Sequence, residues 1–527
     1  MPISTQEASP QPKVPRTPGK PRVVLNVMSN WGAYVVAMGI NFFLSPFVVR
    51  HLGNTQYGVW TIILALTGYL GLLDLGVRGA VTRYVAKFHA EAQHKRASNV
   101  ASSAMVIFSS AGIIAILASF ILAAVVVGHF KIPAEFVTAS RIVLILAGFS
   151  VGTSLVNGVF GGILVGLQRF DITNAIEIGL SILRAGAIVM ALHLGYGIIA
   201  LASIQLSFNL IRWVANVILA RHFYPELRID LSEADYAGVK LIFSFSAFSF
   251  LLHISGSLIY ASDNVVIGAY MPVAAVTFYV IGGNLIEYTR TLLSGISQTM
   301  TPLASSIEAQ KDWSQVQRVV LFSSRAGTMI ILPIAITFML RGSSFIGLWM
   351  GAQYAHTSGT VLMILSMTLL FWPATSVTSG SLLGMSKHRP LVPVLLAEGI
   401  CNLALSILLV RGSLGILGVA WGTVIPSLTS SLVFWPWYVR RTLGIRPLTY
   451  IRSVWIRPGV AIVPFALGTY AIERYWPAGN LIMFFSQVLL TLPLAAAGYW
   501  LMCLDQAHRQ DYSRRISSVM VRVLART

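Results

Sequence analysis

The sequence predicts an all-α polytopic membrane protein with about fourteen transmembrane helices, arranged as two six-helix lobes around a central cavity plus two C-terminal accessory helices. The first observation is composition: the 527 residues are 56% hydrophobic and only 10% charged, with a mean hydropathy of +0.75. Soluble domains carry roughly 25% charged residues. The second observation is that the apolar residues form runs of membrane-spanning length, and the third is that the two halves of the chain repeat each other.

Apolar runs of membrane-spanning length follow one another along the whole chain. A transmembrane helix needs about 20 mostly apolar residues. We count fourteen candidate spans, at 27–49, 57–77, 100–128, 141–165, 173–193, 197–219, 241–269, 274–303, 319–340, 358–383, 391–410, 415–438, 459–475 and 481–503. The loops between them are short, so they leave no room for an external catalytic domain.

Lys and Arg are concentrated in every second loop. The basic clusters lie at 13–22, 83–96, 221–240, 311–325, 387–389, 440–457 and 509–526. The opposite loops hold only isolated basic residues, which are Arg50, Lys131, Arg141, Arg341, Arg411 and Arg474. Because cytoplasmic loops carry the excess of Lys and Arg, we expect both termini to lie in the cytoplasm. The same distribution accounts for most of the net charge of +19 without a nucleic-acid partner.

An internal repeat relates the two halves of the chain. Three pairs of segments match at an offset of 218 or 219 residues: LVGLQRFDIT (164–173) with LLGMSKHRPL (382–391), GIIALA (197–202) with GILGVA (415–420), and AVTRYVA (80–86) with TMTPLAS (299–305). Because each half holds an even number of spans, the repeats share one orientation about an axis along the membrane normal.

The repeat and the loops divide the chain into six regions. We expect a disordered cytoplasmic tail (1–24), an N-terminal six-helix lobe (25–220), a cytoplasmic inter-lobe loop (221–240), a C-terminal six-helix lobe (241–440), two accessory transmembrane helices (441–504) and a basic cytoplasmic tail (505–527). The inter-lobe loop is charged and mixed in composition, as expected of a bridge between two units.

Polar residues line one face of several predicted spans. At helical spacing these are Glu177 and Arg184 in the fifth span, Gln205, Asn209, Arg212 and Asn216 in the sixth, and Glu287, Arg290, Ser294 and Gln298 in the eighth. Lipid offers no reason to align polar groups, whereas a water-filled cavity does. For the neutral residues, hydrogen bonding between packed helices is the alternative.

Three arginines are the candidate substrate-binding residues. A charge inside the membrane is costly unless it is paired or hydrated, and Arg binds phosphate through two parallel hydrogen bonds. Arg184, Arg212 and Arg290 therefore suit an anionic headgroup that enters from the cytoplasm. The alternative is that Glu177 holds Arg184, and Glu287 holds Arg290, in structural ion pairs.

Five charged residues are candidates for coupling or gating: Asp74, Arg78, Glu177, Asp263 and Glu287. Asp263, near the outer end of the seventh span, suits cation or proton coupling, and the alternative is an acid at the membrane interface. Asp74 and Arg78 are four residues apart near the inner end of the second span, which we expect to continue as one helix past Arg83. They form either a structural lock or part of an inner gate.

Motifs of enzymes and cofactor sites are missing from the sequence. It contains no phosphate-binding loop, no HExxH and no CxxC. We therefore expect no enzymatic activity, no cofactor and no metal. Because there is no ATP site, transport is expected to use a gradient, for which H⁺ and Na⁺ are the candidate ions, or another energy source.

Three segments resemble one known family. HLGNTQYGVW (51–60), GYLGLLDLGVRGAVTRYVA (68–86) and DNVVIGAYMPVAAVTFYV (263–280) are similar to the polysaccharide-transporter flippases of the multidrug/oligosaccharidyl-lipid/polysaccharide exporter superfamily. The resemblance implies two lobes forming a V around a cavity. It implies flipping of an undecaprenyl-diphosphate-linked oligosaccharide, by alternating access, to the periplasmic leaflet of the bacterial inner membrane. A polysaccharide polymerase and a chain-length regulator are the partners that this role implies.

Three other functions stay open at this point. A cation-coupled multidrug antiporter of the same superfamily should have an acid-dominated cavity, and a lipid II flippase belongs to the same superfamily. A membrane glycan polymerase or ligase should have a large external loop with catalytic residues, which the sequence does not contain.

Overall fold

The computed structural model describes residues 20–125, 127–385, 387 and 390–504, which form helices joined by short loops. The nineteen α-helices of these residues are α1 (Lys20–Leu70), α2 (Val77–Ala90), α3 (His94–Val125), α4 (Ala134–Gly166), α5 (Phe170–His193), α6 (Ile198–Phe223), α7 (Tyr236–Tyr260), α8 (Ser262–Tyr270), α9 (Ala274–Ala309), α10 (Trp313–Trp349), α11 (Ala352–Ser366), α12 (Trp372–Gly384), α13 (Leu391–Val410), α14 (Ile416–Thr429), α15 (Trp435–Leu443), α16 (Pro447–Ile451), α17 (Arg457–Ala461), α18 (Val463–Tyr475) and α19 (Leu481–Met502). The predicted C-terminal tail 505–527 and residues 1–19 of the predicted N-terminal tail lie outside the described residues.

The predicted all-α membrane fold is confirmed, although the count of fourteen spans is not. Ten helical segments of the described chain are long and apolar enough to cross a membrane, and two bent helix pairs raise the number to twelve. One of the ten covers residues 31–90 and contains two predicted spans. Helix α9 is not among the twelve, because Asn284, Glu287 and Arg290 interrupt its apolar sequence.

Helix α1 is a hairpin of two segments that Gly53 separates. The φ of 70° and ψ of 172° at Gly53 lie outside the helical region, in a conformation that glycine adopts most readily. Ile40 and Leu64 line the same cavity, although 24 residues of straight helix would hold them about 36 Å apart. The first two predicted spans are therefore the two arms of this hairpin.

The second predicted span does not continue as one helix past Arg83. Its α-helix ends at Leu70, a 3₁₀ turn covers Gly71–Asp74, and α2 begins only at Val77. Leu75 and Gly76 have φ values of 52° and 78°, the left-handed conformation that ends helices. The expectation of a continuous helix was wrong because Leu75 and Gly76 leave the right-handed helical conformation between the two segments.

The two lobes pack together at one end of the molecule. We call this the far end, and it carries the connections at 127–133, 194–197, 271–273 and 411–415. The opposite basic end carries the connections at 91–93, 167–169, 224–235 and 310–312. The largest apolar core contains residues of both lobes, among them Val49 and Ile416. Two smaller cores lie near the basic end, and each belongs almost wholly to one side of the molecule.

Hydrogen bonds reinforce the contact between the lobes at the far end. The Thr277 hydroxyl donates to the Asn54 carbonyl oxygen at 2.7 Å, and the Tyr354 hydroxyl donates to the Asn54 side-chain oxygen at 2.5 Å. The Trp349 indole donates to the Phe42 carbonyl at 3.0 Å. The turn of the α1 hairpin is therefore fixed to α9, α10 and α11 of the second lobe.

Equivalent helix crossings occur in both halves of the chain, as the internal repeat predicts. In each half, two glycines four residues apart pack against carbonyl oxygens of a neighbouring helix, which is a close-packing arrangement common between membrane helices. A Cβ atom built on each glycine would lie between 2.0 and 3.3 Å from the carbonyl oxygen. The pairs are Gly162–Arg78 and Gly166–Thr82 in the first half, and Gly380–Ser297 and Gly384–Thr301 in the second.

The inter-lobe loop docks on α3 at the basic end. The hydroxyls of Ser98 and Ser102 each accept a hydrogen bond at 3.0 Å from backbone N–H groups of the loop. The Asn99 side chain donates to the Glu233 carbonyl at 2.9 Å. Within the loop, the Ser232 N–H lowers the pKa of Asp230 by donating to its carboxylate. The loop thus rests on the first lobe before the chain enters α7.

The accessory helices are fixed to α10 through a buried ion pair. The side chain of Arg341 is fully buried, and its Nε lies 2.7 Å from Oε2 of Glu473 in α18. Its Nη2 donates to Gln487 of α19 at 2.6 Å, and its guanidinium lies 4.4 Å from the centre of the Phe484 ring. The expectation that Arg341 lies in a loop was wrong, because α10 extends to Trp349.

Candidate functional site

The described residues of the two lobes enclose four large cavities. The central cavity, of about 540 Å³, is lined by α1, α5, α6, α8 and α9 and includes Tyr57, Arg184 and Asn284. The second-lobe cavity, of about 670 Å³, includes Asp263 and Arg290. Both volumes lie within the range of about 300–1,000 Å³ that is usual for sites that bind small organic molecules.

The other two cavities belong mainly to the first lobe. The first-lobe cavity, of about 350 Å³, includes Ser150 and Asn209. The basic-end cavity, of about 750 Å³, includes Arg83, Glu177 and Arg212. It is the largest of the four, and it lies where the two lobes are not joined by a common core.

Shared lining residues connect the four cavities into one polar interior. Gln205 lines both the central and the first-lobe cavity, and Asp74 lines both the first-lobe and the basic-end cavity. Asn264 lines both the central and the second-lobe cavity, and His253 lines both the second-lobe and the basic-end cavity. The predicted central cavity between the lobes is therefore present, and it reaches from near the closed far end towards the basic end.

Among the described residues that line the central cavity, Arg184 is the one charged residue. It is half-buried, and its Nη1 donates to Gln205 Oε1 at 3.1 Å. The described residues provide no ion pair for it: Glu177, its predicted partner, binds Arg212 instead. Its remaining guanidinium nitrogens are the ones that a ligand in this cavity can use.

Arg212 and Glu177 form an ion pair in the basic-end cavity. Nη2 of Arg212 lies 3.1 Å from Oε1 of Glu177, which joins α6 to α5. The two side chains are partly exposed to the cavity, at 28% and 42%. The charge of Arg212 is thus already balanced by an acidic partner, unlike that of Arg184 in the part of the chain that the structure describes.

Arg290 lies in the second-lobe cavity beside a broken helix. Its Nη2 donates to the Thr368 hydroxyl at 3.2 Å, and its guanidinium lies 5.7 Å from the centre of the Trp372 ring. Thr368 and Trp372 lie on either side of the 45° bend between α11 and α12. Glu287 and Asp263 line the same cavity as Arg290.

Asp74 and Arg78 form an ion pair of 3.5 Å across the break between α1 and α2. Both residues also line the first-lobe and basic-end cavities. The pair therefore links the two helices across the break and also forms part of the cavity wall. This position is compatible with both predicted roles, the structural lock and the inner gate.

The neutral polar residues of the stripes divide into two groups. Asn209 donates to the Ser150 hydroxyl at 2.5 Å, and Asn216 donates to the Asn157 side-chain oxygen at 2.8 Å. Both bonds join α6 to α4, as expected of polar contacts between packed helices. The Ser294 hydroxyl donates to the Thr291 carbonyl of its own helix, and the Gln298 side chain lies outside the described residues.

Asp263 is buried in the second lobe at the break between α7 and α8. The residue is only 4% exposed, and its Oδ2 accepts hydrogen bonds from Tyr279 at 2.5 Å and Thr423 at 2.7 Å. Its Oδ1 is buried and has no partner among the described residues. The alternative of an exposed acid at the membrane interface is therefore wrong, because this residue is buried against α9 and α14.

Residues of α13 extend this site, and the sequence analysis missed them. The Asn402 side chain donates to Thr423 at 3.1 Å, and its buried Oδ1 has no partner in the described chain. Glu398, Asn402 and Ser406 follow one another at i, i+4 and i+8, the same spacing that identified the other stripes. This spacing in the sequence could have identified the three residues as a polar face of α13.

Comparison with known proteins identifies the family. The model of a family described as polysaccharide biosynthesis protein matches residues 47–359. A "Putative O-antigen transporter" of Shigella flexneri is 24% identical over 400 residues, which are 76% of this chain and 93% of that protein. A "Probable low-salt glycan biosynthesis flippase" of Haloferax volcanii is 21% identical over 409 residues, covering 76% and 79%. These relatives carry the names of transporters, not of enzymes.

Solved structures of membrane transporters share the fold. An inward closed conformation of the lipid II flippase MurJ has a TM-score of 0.68 at 14% identity, covering 90% of this chain and 99% of that one. An inward-facing multidrug resistance transporter of the MATE family has a TM-score of 0.63 at 16% identity, covering 80% and 97%. At these identities the similarity establishes the fold alone. Together with the family match over more than half of the sequence, it means that this multi-pass membrane protein belongs to the polysaccharide biosynthesis protein family.

Proposed function

We propose that this protein flips a polyprenyl-diphosphate-linked oligosaccharide, the repeat unit of a surface polysaccharide, across the membrane. The observation that carries the proposal is Arg184, a half-buried guanidinium that faces the central cavity without an ion-pair partner among the described residues. A diphosphate is the ligand that such a group binds through paired hydrogen bonds. The names of the relatives, an O-antigen transporter and a glycan flippase, point to the same class of substrate.

The two lobes provide a route for alternating access. The far end is closed by the common core and by the bonds of Asn54 and Trp349, and the basic-end cavity lies where the lobes are not joined. We place the basic end in the cytoplasm, with both termini there, because its loops carry the Lys and Arg clusters. The headgroup then enters at the cytoplasmic side of a bacterial inner membrane, while the polyprenyl tail stays in lipid.

Deletion of the gene tests the proposal directly. We expect the surface polymer to be lost and lipid-linked repeat units to accumulate in the cytoplasmic leaflet, which a leaflet-specific labelling of the glycan measures. Expression of the wild-type chain should restore the polymer. Repeat units that still reach the outer leaflet at the normal rate in the deletion strain would overturn the proposal.

Other superfamily functions predict different results in the same strain. A drug antiporter has one supporting observation, the acids Asp263 and Glu287 in the second-lobe cavity. It predicts increased sensitivity to cationic drugs with intact polymer, and a lipid II flippase predicts a defect in the cell wall. If repeat units are released at the outer leaflet as proposed, a polysaccharide polymerase and a chain-length regulator are the partners that act next.

We also propose that a monovalent cation, H⁺ or Na⁺, binds at Asp263 and drives the cycle. Broken membrane helices commonly provide carbonyl oxygens for such ions. Here the helix breaks after Tyr260, and Asn402 donates a hydrogen bond to the Ile259 carbonyl at this break. The side-chain oxygens of Asp263 and Asn402 that have no partner among the described residues would bind Na⁺, or Asp263 would accept the proton.

The replacement Asp263→Asn should abolish ion-driven transport. The variant keeps the size and one hydrogen-bond acceptor of the side chain but loses its charge. In vesicles with an imposed Na⁺ or pH gradient, we expect the wild type to respond to one gradient and D263N to lose that response. Glu287→Gln, in the same cavity, is the matched control and should keep it. A gradient response that persists in D263N would contradict the coupling role.

A further inference from the structure

The central cavity differs from its neighbours in its chemistry. Arg184 is its one charged group among the lining residues that the structure describes, whereas the basic-end cavity is lined by five charged residues, from Asp74 to Arg212. The other polar groups of the central cavity are neutral. They are carboxamides, hydroxyls and aromatic side chains.

Carboxamides from four different helices converge on this cavity. They are Asn41 of α1, Gln205 of α6, Asn264 of α8 and Asn284 of α9. The side-chain oxygen of Asn264 is buried and has no partner among the described residues. Buried polar groups are nearly always hydrogen-bonded in native proteins, so this unpaired oxygen is unusual, and its residue lies in the wall that the central and second-lobe cavities share. Arg184 occupies only the oxygen of Gln205 and leaves its NH₂ group for another acceptor.

Aromatic side chains form the walls between these amides. Tyr57, Trp60 and Tyr288 line the cavity, and the Tyr57 side chain lies beside Ser45 and Asn284. Aromatic rings combine an extended apolar face with a polar group at one edge. They therefore provide flat apolar surfaces beside the hydrogen-bonding groups.

This combination suits a sugar. A pyranose ring has apolar C–H faces that pack on aromatic rings, and hydroxyls that both donate and accept hydrogen bonds. A carboxamide is the neutral side chain that offers both functions at once. A diphosphate needs the opposite chemistry, a cation with several donors, and Arg184 is the group of that kind in this cavity.

We propose that the central cavity is a glycan subsite, in which the carboxamides and aromatic rings bind the first sugars of the headgroup and Arg184 binds the adjoining diphosphate. This inference rests on the proposed flippase function and specifies which part of the substrate lies where. Gln205 accepts a hydrogen bond from Arg184 at 3.1 Å, so a carboxamide lies directly beside the guanidinium. The first sugars therefore lie next to the diphosphate in the same cavity.

Binding of two lipids to the purified full-length protein tests the subsite. One probe is undecaprenyl diphosphate, which has no sugar, and the other is the lipid-linked oligosaccharide that accumulates in the deletion strain. The variants are Asn41→Ala, Asn284→Ala and their combination, together with Arg184→Gln. Gln353→Ala, an exposed carboxamide at the start of α11, is the matched control. Thermal unfolding of each variant identifies loss of folding.

The proposal predicts a different pattern for each class of variant. The combined Asn variant should bind the oligosaccharide about 10-fold more weakly (~1.4 kcal/mol) and bind undecaprenyl diphosphate within 2-fold of the wild type. Arg184→Gln should weaken both probes, and Gln353→Ala should weaken neither. Equal weakening of both probes by the Asn variants, or no weakening, would overturn the subsite.

Failure of the subsite and failure of the proposed function give different results. If the wild type binds both probes equally and the deletion strain accumulates lipid-linked repeat units, the flippase function stands and the sugar subsite is wrong. If the deletion strain accumulates no such lipid, the proposed function itself is wrong. Each variant can also be tested for polymer formation in cells, where the Asn variants should respond to a change of the first sugar and Arg184→Gln should not.

Discussion

Replacement of Arg184 by Glu is expected to reduce transport of the lipid-linked glycan at least about 100-fold, which corresponds to ~2.7 kcal/mol. The replacement removes charge-assisted hydrogen bonds, each worth roughly 1.5–3 kcal/mol, and adds repulsion between a carboxylate and the diphosphate. Because Arg184 has no ion-pair partner among the described residues, the variant leaves no existing acid without its partner, and the new carboxylate lies in the polar central cavity. We therefore expect normal amounts of folded protein, measured by membrane expression and thermal unfolding.

A series at the same position separates charge from geometry. Arg184→Lys keeps the charge but loses the planar fork that binds two phosphate oxygens, so an intermediate loss of about 10-fold is expected. Full transport by Arg184→Glu, at wild-type protein levels, would remove this residue from the substrate site. Complementation of the deletion strain, scored as surface polymer, is the measurement.

Arg212 provides a matched control because its charge is already paired. Arg212→Glu alone should disrupt the contact with Glu177 between α5 and α6. If that contact is mainly structural, the exchanged pair Arg212→Glu with Glu177→Arg should recover transport. If Arg212 also binds the diphosphate, the exchange restores folding but not transport. The comparison with Arg184 therefore assigns a role to each arginine separately.

The sequence was sufficient to predict where several helices lie and which of their faces carry polar residues. Spans 391–410 and 481–503 agree with α13 and α19 to within one residue at either end, because continuous apolar runs bounded by polar loops are the strongest pattern in such a chain. Arg184 and Gln205, on stripes of adjacent helices, do meet in the central cavity. Helical periodicity places residues on a face, and adjacent helices bring those faces together.

Pairings across helices and breaks within helices could not be derived in the same way. Spacing along α5 suggested Arg184 as the partner of Glu177, whereas the packing of α6 on α5 gives that acid to Arg212. Asp263 is buried beside a bend of 40° between α7 and α8, and nothing in the apolar pattern marks that bend. Such features depend on the relative rotation and translation of helices, which a one-dimensional period does not contain.

Loss of the acid at Glu473 is expected to have the largest effect on stability. Glu473→Ala leaves the guanidinium of Arg341 fully buried without its carboxylate. Removal of one partner of a buried ion pair costs about 3–5 kcal/mol, because the remaining charge stays desolvated. The accessory helices α18 and α19 should then dissociate from α10 more easily. Unfolding of the reconstituted protein, and proteolysis between α15 and α18, measure the loss.

A second ion pair of this protein provides the control for Glu473. Lys387 and Glu308 lie 3.8 Å apart at the basic end, and both side chains are about 30% exposed. Exposed pairs contribute roughly 0–1 kcal/mol, so Glu308→Ala should change stability much less than Glu473→Ala. Equal effects of the two replacements would contradict the assignment of the Arg341 pair as the fixed point of the accessory helices.

The combined replacement of both partners distinguishes a buried charge from a lost contact. Arg341→Met with Glu473→Gln removes both charges but keeps similar side-chain volumes, and Gln487 keeps its bond to the Trp476 carbonyl. Replacement of a whole buried pair by neutral residues is often neutral in stability, so the double variant should recover most of what Glu473→Ala loses. Because Arg341 lies outside the four cavities, this variant should also transport normally. A stable double variant that fails to transport would instead mean that the accessory helices take part in the cycle through this ion pair.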